Sequence, residues 1–247
     1  MQPKINRVTI RVWGDYACFT RPEMKVERVS YPIMTPSAAR GVLEAIFWEP
    51  QMCYLIDSIA VVKKGRWFSF RRNEVSAVIS IDAARSWMRG KTPVKFIEAG
   101  GGAANAAQRN MLALADVEYI ITAEVRLTKR AELPKDNLGK YVDEIRKRAS
   151  RGKCFHRPAL GCREFAADFD WADDPAEVRL ATWEQEDLGL MLYDVFDPAD
   201  REIATVEQPH VRPGAVFFRA TIKNAVMDCH PDRVRDQIVR PRAATKE

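Results

Sequence analysis

The 247-residue sequence lacks the features that would direct it to a membrane or to an oxidising compartment. No run of eighteen apolar residues occurs, and the first segment, MQPKINRVTI, has no apolar stretch like that of a signal peptide. The five cysteines are odd in number and scattered, which favours reduced, mostly buried thiols over a disulfide framework. The sequence therefore predicts a cytoplasmic globular protein, with 47% hydrophobic residues to fill a core.

Motifs for several common chemistries are also missing. The sequence has no G-x-S-x-G, no Walker A motif and no G-x-G-x-x-G after a strand, so nothing supports a hydrolytic triad, nucleotide hydrolysis or hydride transfer. Zinc sites need paired ligands at short spacing. Cys154 and His156 stand one residue apart, Cys162 follows six residues later, and no second pair exists. We predict neither a metal nor a cofactor.

Positive charge is concentrated in the first two thirds of the chain. Residues 1–163 hold 29 Lys and Arg against 16 acids, whereas residues 164–202 hold 2 against 13. A basic body with one acidic segment suits a polyanionic partner, because cations that bind phosphates release counterions. An uneven distribution of solvated surface loops explains the same pattern equally well.

Alternating and helical periodicities predict the order of the elements. Val8, Ile10 and Val12 alternate with polar residues in a first strand, and Thr35 caps a helix that Pro50 stops. Further strands are predicted at 53–62, 117–127, 162–169, 188–196 and 215–226, and a second helix at about 137–151 with Gly152 as its stop.

The predicted fold class is therefore α+β. Residues 1–170 are expected to form a ferredoxin-like (RRM-like) βαββαβ domain, with a long insertion at about 63–116. A β-rich C-terminal extension is expected at 171–230 and a flexible tail at 231–247. Many RNA-binding modules use the same sheet.

Aromatic residues stand next to arginines at several places, as in Trp67, Phe68 and Phe70 before Arg71 and Arg72. Arginines that meet phosphates beside rings that stack on unpaired bases are typical of proteins that bind single-stranded RNA. Phe68 and Phe70 alternate, so they fit the core of a strand equally well.

Several motifs together resemble a known family. These are GDYACFTRPEMKVERVSYPIMTPSAARGVLEAIFWEP, RRNEV, GK before a basic helix, CFHRPALGCREF and DLGLMLYD, in this order over about residues 5–226. They are similar to the type I-C (Dvulg) branch of the fifth CRISPR-associated protein family. The resemblance implies a ferredoxin-like domain with a β-rich C-terminal part. It also implies a subunit of the surveillance complex Cascade that grips the 5′ handle of the guide RNA and cleaves the precursor repeat hairpin without a metal.

The resemblance also implies catalytic positions. Processing members use an aromatic or imidazole side chain from the first helix, then a lysine and a histidine on the second. Lys140 matches the lysine and is expected to stabilise charge on the phosphorane. At the other two positions this sequence differs from the family: Phe47 stands where a tyrosine or histidine is expected, and Tyr141 where the histidine is expected. Phe47 cannot donate or accept a proton. Tyr141 could be an acid, a group that orients the 2′-OH, or a packing residue. Lys140 could instead be a solvated surface lysine, and His156 could supply an imidazole.

The expected RNA-binding residues combine charge, position and family motif. They are Arg40, Trp48, Arg71, Arg72, Arg109, His156 and Arg163. Any of these arginines could instead be a surface salt-bridge partner. The expected partners are CRISPR repeat RNA and other Cascade subunits, with DNA as a further candidate and no membrane. Two alternatives remain: a non-catalytic structural subunit that binds CRISPR RNA, and a nonspecific binder of double-stranded DNA.

Overall fold

A computed structural model describes residues 6–98, 100, 102–195 and 215–239. Within these residues the chain is an α+β protein with nine strands and three α-helices. In chain order the elements are β1 (Arg7–Ala17), β2 (Arg28–Val29), α1 (Pro36–Ile46), β3 (Met52–Val75), α2 (Ile81–Met88), β4 (Ala106–Leu127), α3 (Leu138–Ala149), β5 (Asp168–Trp171), β6 (Gln185–Asp194), β7 (Val216–Lys223), β8 (Val226–Asp228), a 3₁₀-helix (Arg235–Gln237) and β9 (Ile238–Val239).

The nine strands form one large, mainly antiparallel sheet in the order β5-β1-β4-β3-β8-β7-β6. The short strand β2 pairs in parallel with β4, and β9 pairs with β7. Strand β4 is central, and its Ile121 faces Ile10 of β1 on one side and Ile59 of β3 on the other. All three isoleucines are buried, as the alternation in the first strand predicts.

Strands β3 and β4 are much longer than the sequence predicts. They stay paired from Lys63 and Glu118 to Val75 and Ala106, across most of the expected insertion at 63–116. We call this two-stranded extension the β3–β4 arm (residues 63–75 and 106–118). Helix α2 lies between its two strands in the chain and has no buried residue. The periodicity breaks off because the β3 strand of the arm, residues 63–75, has no buried residue, although its β4 strand still buries Met111, Ala113, Leu114 and Val117.

Helix α1 begins as predicted. The Thr35 side chain accepts a hydrogen bond from the Ala38 N–H at 3.2 Å, and Pro36 occupies the first turn. The helix ends at Ile46, and Phe47 is extended. The carbonyls at this end are bound from outside the helix, since the Tyr54 hydroxyl donates to the Phe47 carbonyl at 2.9 Å. Trp48 thus lies beyond the helix.

Helix α3 is capped by Asn137, whose side chain accepts from the Lys140 N–H at 2.9 Å. Gly152, with φ at +61°, follows its end, as expected of a C-terminal stop. Both α1 and α3 pack on the sheet through buried apolar stripes that join one large core. The longest α-helix in the described part has 12 residues, and none there has the length and apolar character needed to cross a membrane.

Two predictions near the C-terminal half need correction. The strand predicted at 162–169 begins only at Asp168, because residues 158–167 form a looped turn in which the Phe165 N–H donates to the Cys162 carbonyl. The tail predicted at 231–247 is held to the sheet as far as residue 239, where β9 pairs with β7. Residues 240–247 lie outside the described part. The strands predicted at 188–196 and 215–226 correspond to β6 and to β7 and β8, although residue 196 is not described.

Candidate nucleic-acid interface

A buried carboxylate organises the start of helix α3. Asp136 lies just before the helix, and its Oδ1 accepts a hydrogen bond from the Tyr141 hydroxyl at 2.6 Å. The Lys140 Nζ is 3.3 Å from the same oxygen, and the Glu132 N–H donates to Oδ2 at 3.0 Å. Asp136 is 4% exposed and Tyr141 fully buried, whereas the Lys140 side chain is 45% exposed. Only the lysine of this trio is therefore open to a ligand.

The pKa shifts at this position follow from these contacts. The hydrogen bond from Tyr141 lowers the pKa of Asp136 to about 2, and Lys140 adds to the effect. Burial, together with the neighbouring carboxylate, raises the pKa of Tyr141 well above its usual value. A phenol of this kind is not a base at neutral pH, and its proton is already committed to Asp136. The packing interpretation of Tyr141 thus fits the geometry better than an acid or base role.

Phe47 is confirmed as a core residue. Its ring lies 6.3 Å from the Tyr141 ring, and the Arg148 guanidinium stands over it at 4.9 Å. Arg148 in turn donates to Glu144 at 2.6 Å. The outer surface of α3 therefore carries Lys140, Glu144 and Arg148 at spacings of four, beside the buried Phe47 and Tyr141.

A groove of about 740 Å³ runs between α1, the end of β1 and the loop that follows α3. We call it the α1 groove. Ser37 and Gly41 line it on the helix side, and His156, Arg157 and Arg163 line it on the loop side. Gly41 leaves the helix surface open, since an added Cβ there would meet no atom within 4 Å. The groove is therefore bounded on one side by helix α1, which has no side chain at Gly41, and on the other by a loop that carries Arg157 and Arg163.

The loop wall of the groove is fixed by backbone hydrogen bonds. The N–H groups of Phe155 and His156 donate to the Ala45 carbonyl at 2.9 and 3.0 Å, at the end of α1. These bonds satisfy a helix carbonyl that has no partner within the helix. The His156 side chain stays exposed, and its ring meets the Phe155 ring edge-on at 4.3 Å. Arg157 is ion-paired with Asp168. His156 and Arg163 thus line the same groove.

Comparison with known proteins identifies the family. The family model for CRISPR-associated protein (Cas_Cas5) matches residues 8–230. The chain belongs to the Cas5 family. It is 40% identical over 230 residues to a protein from Mannheimia succiniciproducens named CRISPR pre-crRNA endoribonuclease Cas5d, covering 92% of this chain and 96% of the relative. A Thermus thermophilus protein of the same name is 39% identical over 238 residues, covering 93% and 94%.

Solved structures support the fold of this Cas5 protein. A crystal structure of a CRISPR-associated protein superposes with a TM-score of 0.59 at 20% identity, covering 90% of both chains. A functionally uncharacterized protein from Streptococcus mutans gives the same TM-score at 17% identity, covering 92% of this chain and 93% of that one. At these identities the likeness concerns the fold.

Arg40 of this Cas5 protein lies in a buried ion-pair network. Its guanidinium donates twice to Asp194 at 2.9 Å and once to Glu44 at 2.5 Å, and its side chain is 13% exposed. Burial opposes the charged form, but the two carboxylates raise the pKa of Arg40 above its usual value. The bonds join α1 to β6. An RNA phosphate would have to displace a carboxylate to reach this arginine.

The other predicted residues lie on the β3–β4 arm or near the end of α1. Arg71 is exposed and 3.4 Å from the Gln108 side chain, and Arg72 is ion-paired with Glu74 and Glu164. Arg109 lies opposite Arg72 in the strand pairing. Because Glu164 follows Arg163, the Arg72 pair connects the arm to the loop wall of the α1 groove. Trp48 is 47% exposed, so its ring can take part in stacking.

The structure also reveals site residues that sequence reasoning missed. The main one is Asp136. Its only local signal in the sequence is its position, four residues before Lys140 and one before Asn137, which caps helix α3. A second concave surface of about 620 Å³ lies at the end of α3 and is lined by Lys147, Arg148, Arg151 and Lys153. These cations belong to the basic run that the sequence shows, but their grouping in one groove depends on the turn at Gly152.

The sheet face opposite the helices is occupied by ion pairs. Arg7 pairs with Asp57 at 2.8 Å, and Arg11 pairs with Glu118 at 2.6 Å. Many RRM-type modules stack RNA bases on this face. Here its cations are balanced by carboxylates, which favours an RNA path on the helical side. Among the described residues, no three carboxylate, imidazole or thiol side chains come close enough to hold a metal ion.

Proposed function

We propose that this protein binds the repeat hairpin and 5′ handle of CRISPR RNA, cleaves the precursor transcript, and remains as a subunit of Cascade. The observation that carries the proposal is the identity of about 40% over more than nine tenths of the chain to two proteins named pre-crRNA endoribonucleases. The protein would be a type I-C CRISPR–Cas component. Its partners would be CRISPR RNA and the other Cascade subunits.

The proposed architecture is a ferredoxin-like domain over residues 1–170 with a β-rich part over 171–230. The strand order β5-β1-β4-β3, with α1 between β1 and β3 and α3 between β4 and β5, supports it. The arm and α2 then form the insertion at about 63–116. Strands β6, β7 and β8 extend the sheet beyond β3.

The proposed chemistry is attack of a ribose 2′-OH on the adjacent phosphate, with departure of the 5′-oxygen and no metal. Charge that develops on the phosphorane needs a fixed cation. Lys140 supports this role because its ammonium group is half exposed while Asp136 fixes its position. Tyr141 then acts as a positioning residue, since it holds Asp136 by its phenol rather than meeting RNA.

His156 is the proposed source of an imidazole for proton transfer. Its backbone is tied to the end of α1 at Ala45, and Phe47, two residues farther, packs against Tyr141. The α1 groove and the start of α3 therefore meet at the same helix end. Arg157 and Arg163 beside His156 would bind the phosphates of the strand, with Arg71, Arg72 and Arg109 of the arm, and Trp48, as further contacts. Arg40 is kept as a structural support of this surface.

Lys140→Ala tests the catalytic proposal. We expect cleavage of the cognate repeat hairpin in EDTA to slow at least about 100-fold, with hairpin affinity within a few-fold, because the lost charge acts mainly in the transition state. Lys223→Ala removes the same charge from an exposed position on β7, away from both concave surfaces, and should cleave normally. Products should end in a 2′,3′-cyclic phosphate. Cleavage by Lys140→Ala at the native rate would remove this lysine from the mechanism.

A non-catalytic CRISPR RNA-binding subunit is the second candidate. It is favoured by the chemistry beside Lys140, where Phe47 carries no ionisable group and the phenol of Tyr141 is buried with a raised pKa. Tight binding of the repeat RNA without cleavage under any condition would decide for it. Equal affinity for unrelated duplex DNA, with a steep salt dependence, would instead indicate a nonspecific DNA binder.

A further inference from the structure

Two cysteines lie together where the end of β1 meets the loop after α3. Cys18 is fully buried and Cys162 is 6% exposed. The Cys18 N–H donates to the Leu160 carbonyl at 3.0 Å, and Gly161 passes so close that an added Cβ would lie 2.1 Å from the Cys18 carbonyl oxygen. The backbone at Cys18 and the backbone at residues 160–161 therefore run in direct contact.

The sulfur atoms share a small polar cluster. The Thr20 hydroxyl lies 3.6 Å from the Cys18 Sγ and 3.9 Å from the Cys162 Sγ, and the Arg28 guanidinium donates to the Cys162 Sγ at 3.1 Å. The Cys162 Sγ also lies 3.7 Å from the Cys18 carbonyl oxygen. Arg28 lies 4.0 Å from Glu164, so the carboxylate is farther from the guanidinium than the sulfur is.

These contacts favour a thiolate at Cys162 and a thiol at Cys18. The contact with Cys18 and the charge of Arg28 lower the pKa of the Cys162 thiol. The same contact, with burial, raises the pKa of Cys18. The thiolate is the nucleophilic form of cysteine, and a neighbouring arginine favours it. By contrast, burial raises the pKa of Cys229, which keeps that thiol protonated.

We propose that Cys162 and Cys18 form a thiol–disulfide site that reacts with hydroperoxides. The Cys162 thiolate attacks one oxygen of the peroxide, the O–O bond breaks, and the departing hydroxide or alkoxide takes a proton from water. The Cys162 sulfenic acid is then attacked by the Cys18 sulfur, which gives up its proton as the S–O bond breaks and water leaves. The two sulfurs lose two electrons, and the peroxide gains them.

The disulfide would change one wall of the α1 groove. Cys18 and Gly161 line the groove, and Arg163 follows Cys162 in the same wall. The bond would tie β1 to the loop across 144 positions of sequence and would remove the negative charge beside Arg28. Closing so long a loop restricts the unfolded chain, so the oxidised protein should melt at a higher temperature than the reduced protein. This inference does not depend on RNA binding.

The test uses the full chain and hydrogen peroxide. Free thiols counted in denaturant should fall from five to three with about one equivalent of peroxide, and dithiothreitol should restore all five. Trypsin would leave Cys154 and Cys162 in one peptide, residues 154–163, because Arg157 precedes Pro158. The digestion is therefore made without reduction in a Cys154→Ser background. Mass spectrometry should find residues 12–25 linked to residues 154–163, since Arg21 also precedes a proline and the next cleavage is after Lys25.

Matched variants separate the proposed chemistry from general oxidation. The linked peptide should be absent from Cys162→Ser and Cys18→Ser, each checked for folding by its melting curve. Arg28→Met should slow thiol loss at least about tenfold because less thiolate forms, whereas Arg66→Met, at an exposed position on β3, should react at the native rate. Retention of all five thiols, or linkage to another cysteine or between molecules, would overturn the proposal. The linked peptide found in the Cys154→Ser background tests the proposal even if Cys162→Ser or Cys18→Ser fails to fold.

Discussion

The hydrogen bond from Tyr141 to Asp136 makes a strong prediction about stability. Tyr141→Phe removes a hydroxyl that donates at 2.6 Å to a buried carboxylate, and it leaves the packing against Phe47 in place. Hydrogen bonds to charged groups contribute about 1.5–3 kcal/mol. We expect a loss of about 2 kcal/mol, which for a chain of this length lowers the melting temperature by about 4–8 °C.

The pH dependence of this loss distinguishes its cause. The folded pKa of Asp136 is about 2, below the usual 3.8, so the carboxylate adds stability that is present above pH 3.8 and is lost as the pH falls towards 2. The difference between wild type and Tyr141→Phe should therefore be constant near neutral pH and shrink in that acid range. Tyr54→Phe, which removes a phenol bound to a backbone carbonyl, should cost about 1 kcal/mol without this acid dependence.

The measurement is thermal and urea unfolding of both variants between pH 7 and pH 2, with repeat-RNA cleavage assayed at pH 7. An unchanged melting temperature for Tyr141→Phe would refute the buried contact. Cleavage should stay within about threefold of wild type, because the phenol positions Asp136 and does not meet RNA. A hundredfold loss of cleavage in a well-folded variant would instead make Tyr141 a catalytic acid.

Three further predictions concern the surrounding surface. Arg40→Ala should destabilise the fold by about 3 kcal/mol in thermal unfolding, because it leaves Asp194 buried without its cation, and a variant of native stability would contradict the network. Gly161→Ala should give little folded protein, since its φ is +87° and the new Cβ would strike the Cys18 carbonyl. The control for this variant is Gly41→Ala, which has open space around it and should fold with native or slightly higher stability. Arg163→Ala should weaken repeat-RNA binding and reduce the slope of log affinity against log salt by about 0.7, and an unchanged slope would place the strand elsewhere.

Local signals in the sequence were sufficient for the main elements. The cap at Thr35, the alternation of Val8, Ile10 and Val12, and the stop at Gly152 all depend on residues within a few positions of each other, and all are confirmed. The arm was missed as regular structure because its β3 strand, residues 63–75, has no buried residue. Its pairing comes from the partner strand rather than from a buried stripe.

The site was predicted less well than the fold, for a physical reason. Charge and family motif marked Arg40 as an RNA contact, but its partner Asp194 lies 154 residues away and is brought close only by β6. Likewise nothing in the spacing of Asp136 and Tyr141 shows that both are buried. Accessibility and pKa depend on the elements packed around a group, and periodicity does not report them.

The sequence by itself determined the family, the α+β class and the identity of the residues that carry charge. Those properties reside in the order of side chains, which short-range hydrogen bonds and periodic burial translate directly into helices and strands. Tertiary structure alone decided which groups are free to act. It left Lys140 open, committed Arg40 and Tyr141 to carboxylates, and set Cys18 beside Cys162 across 144 residues, because desolvation and long-range neighbours fix the state of an ionisable group.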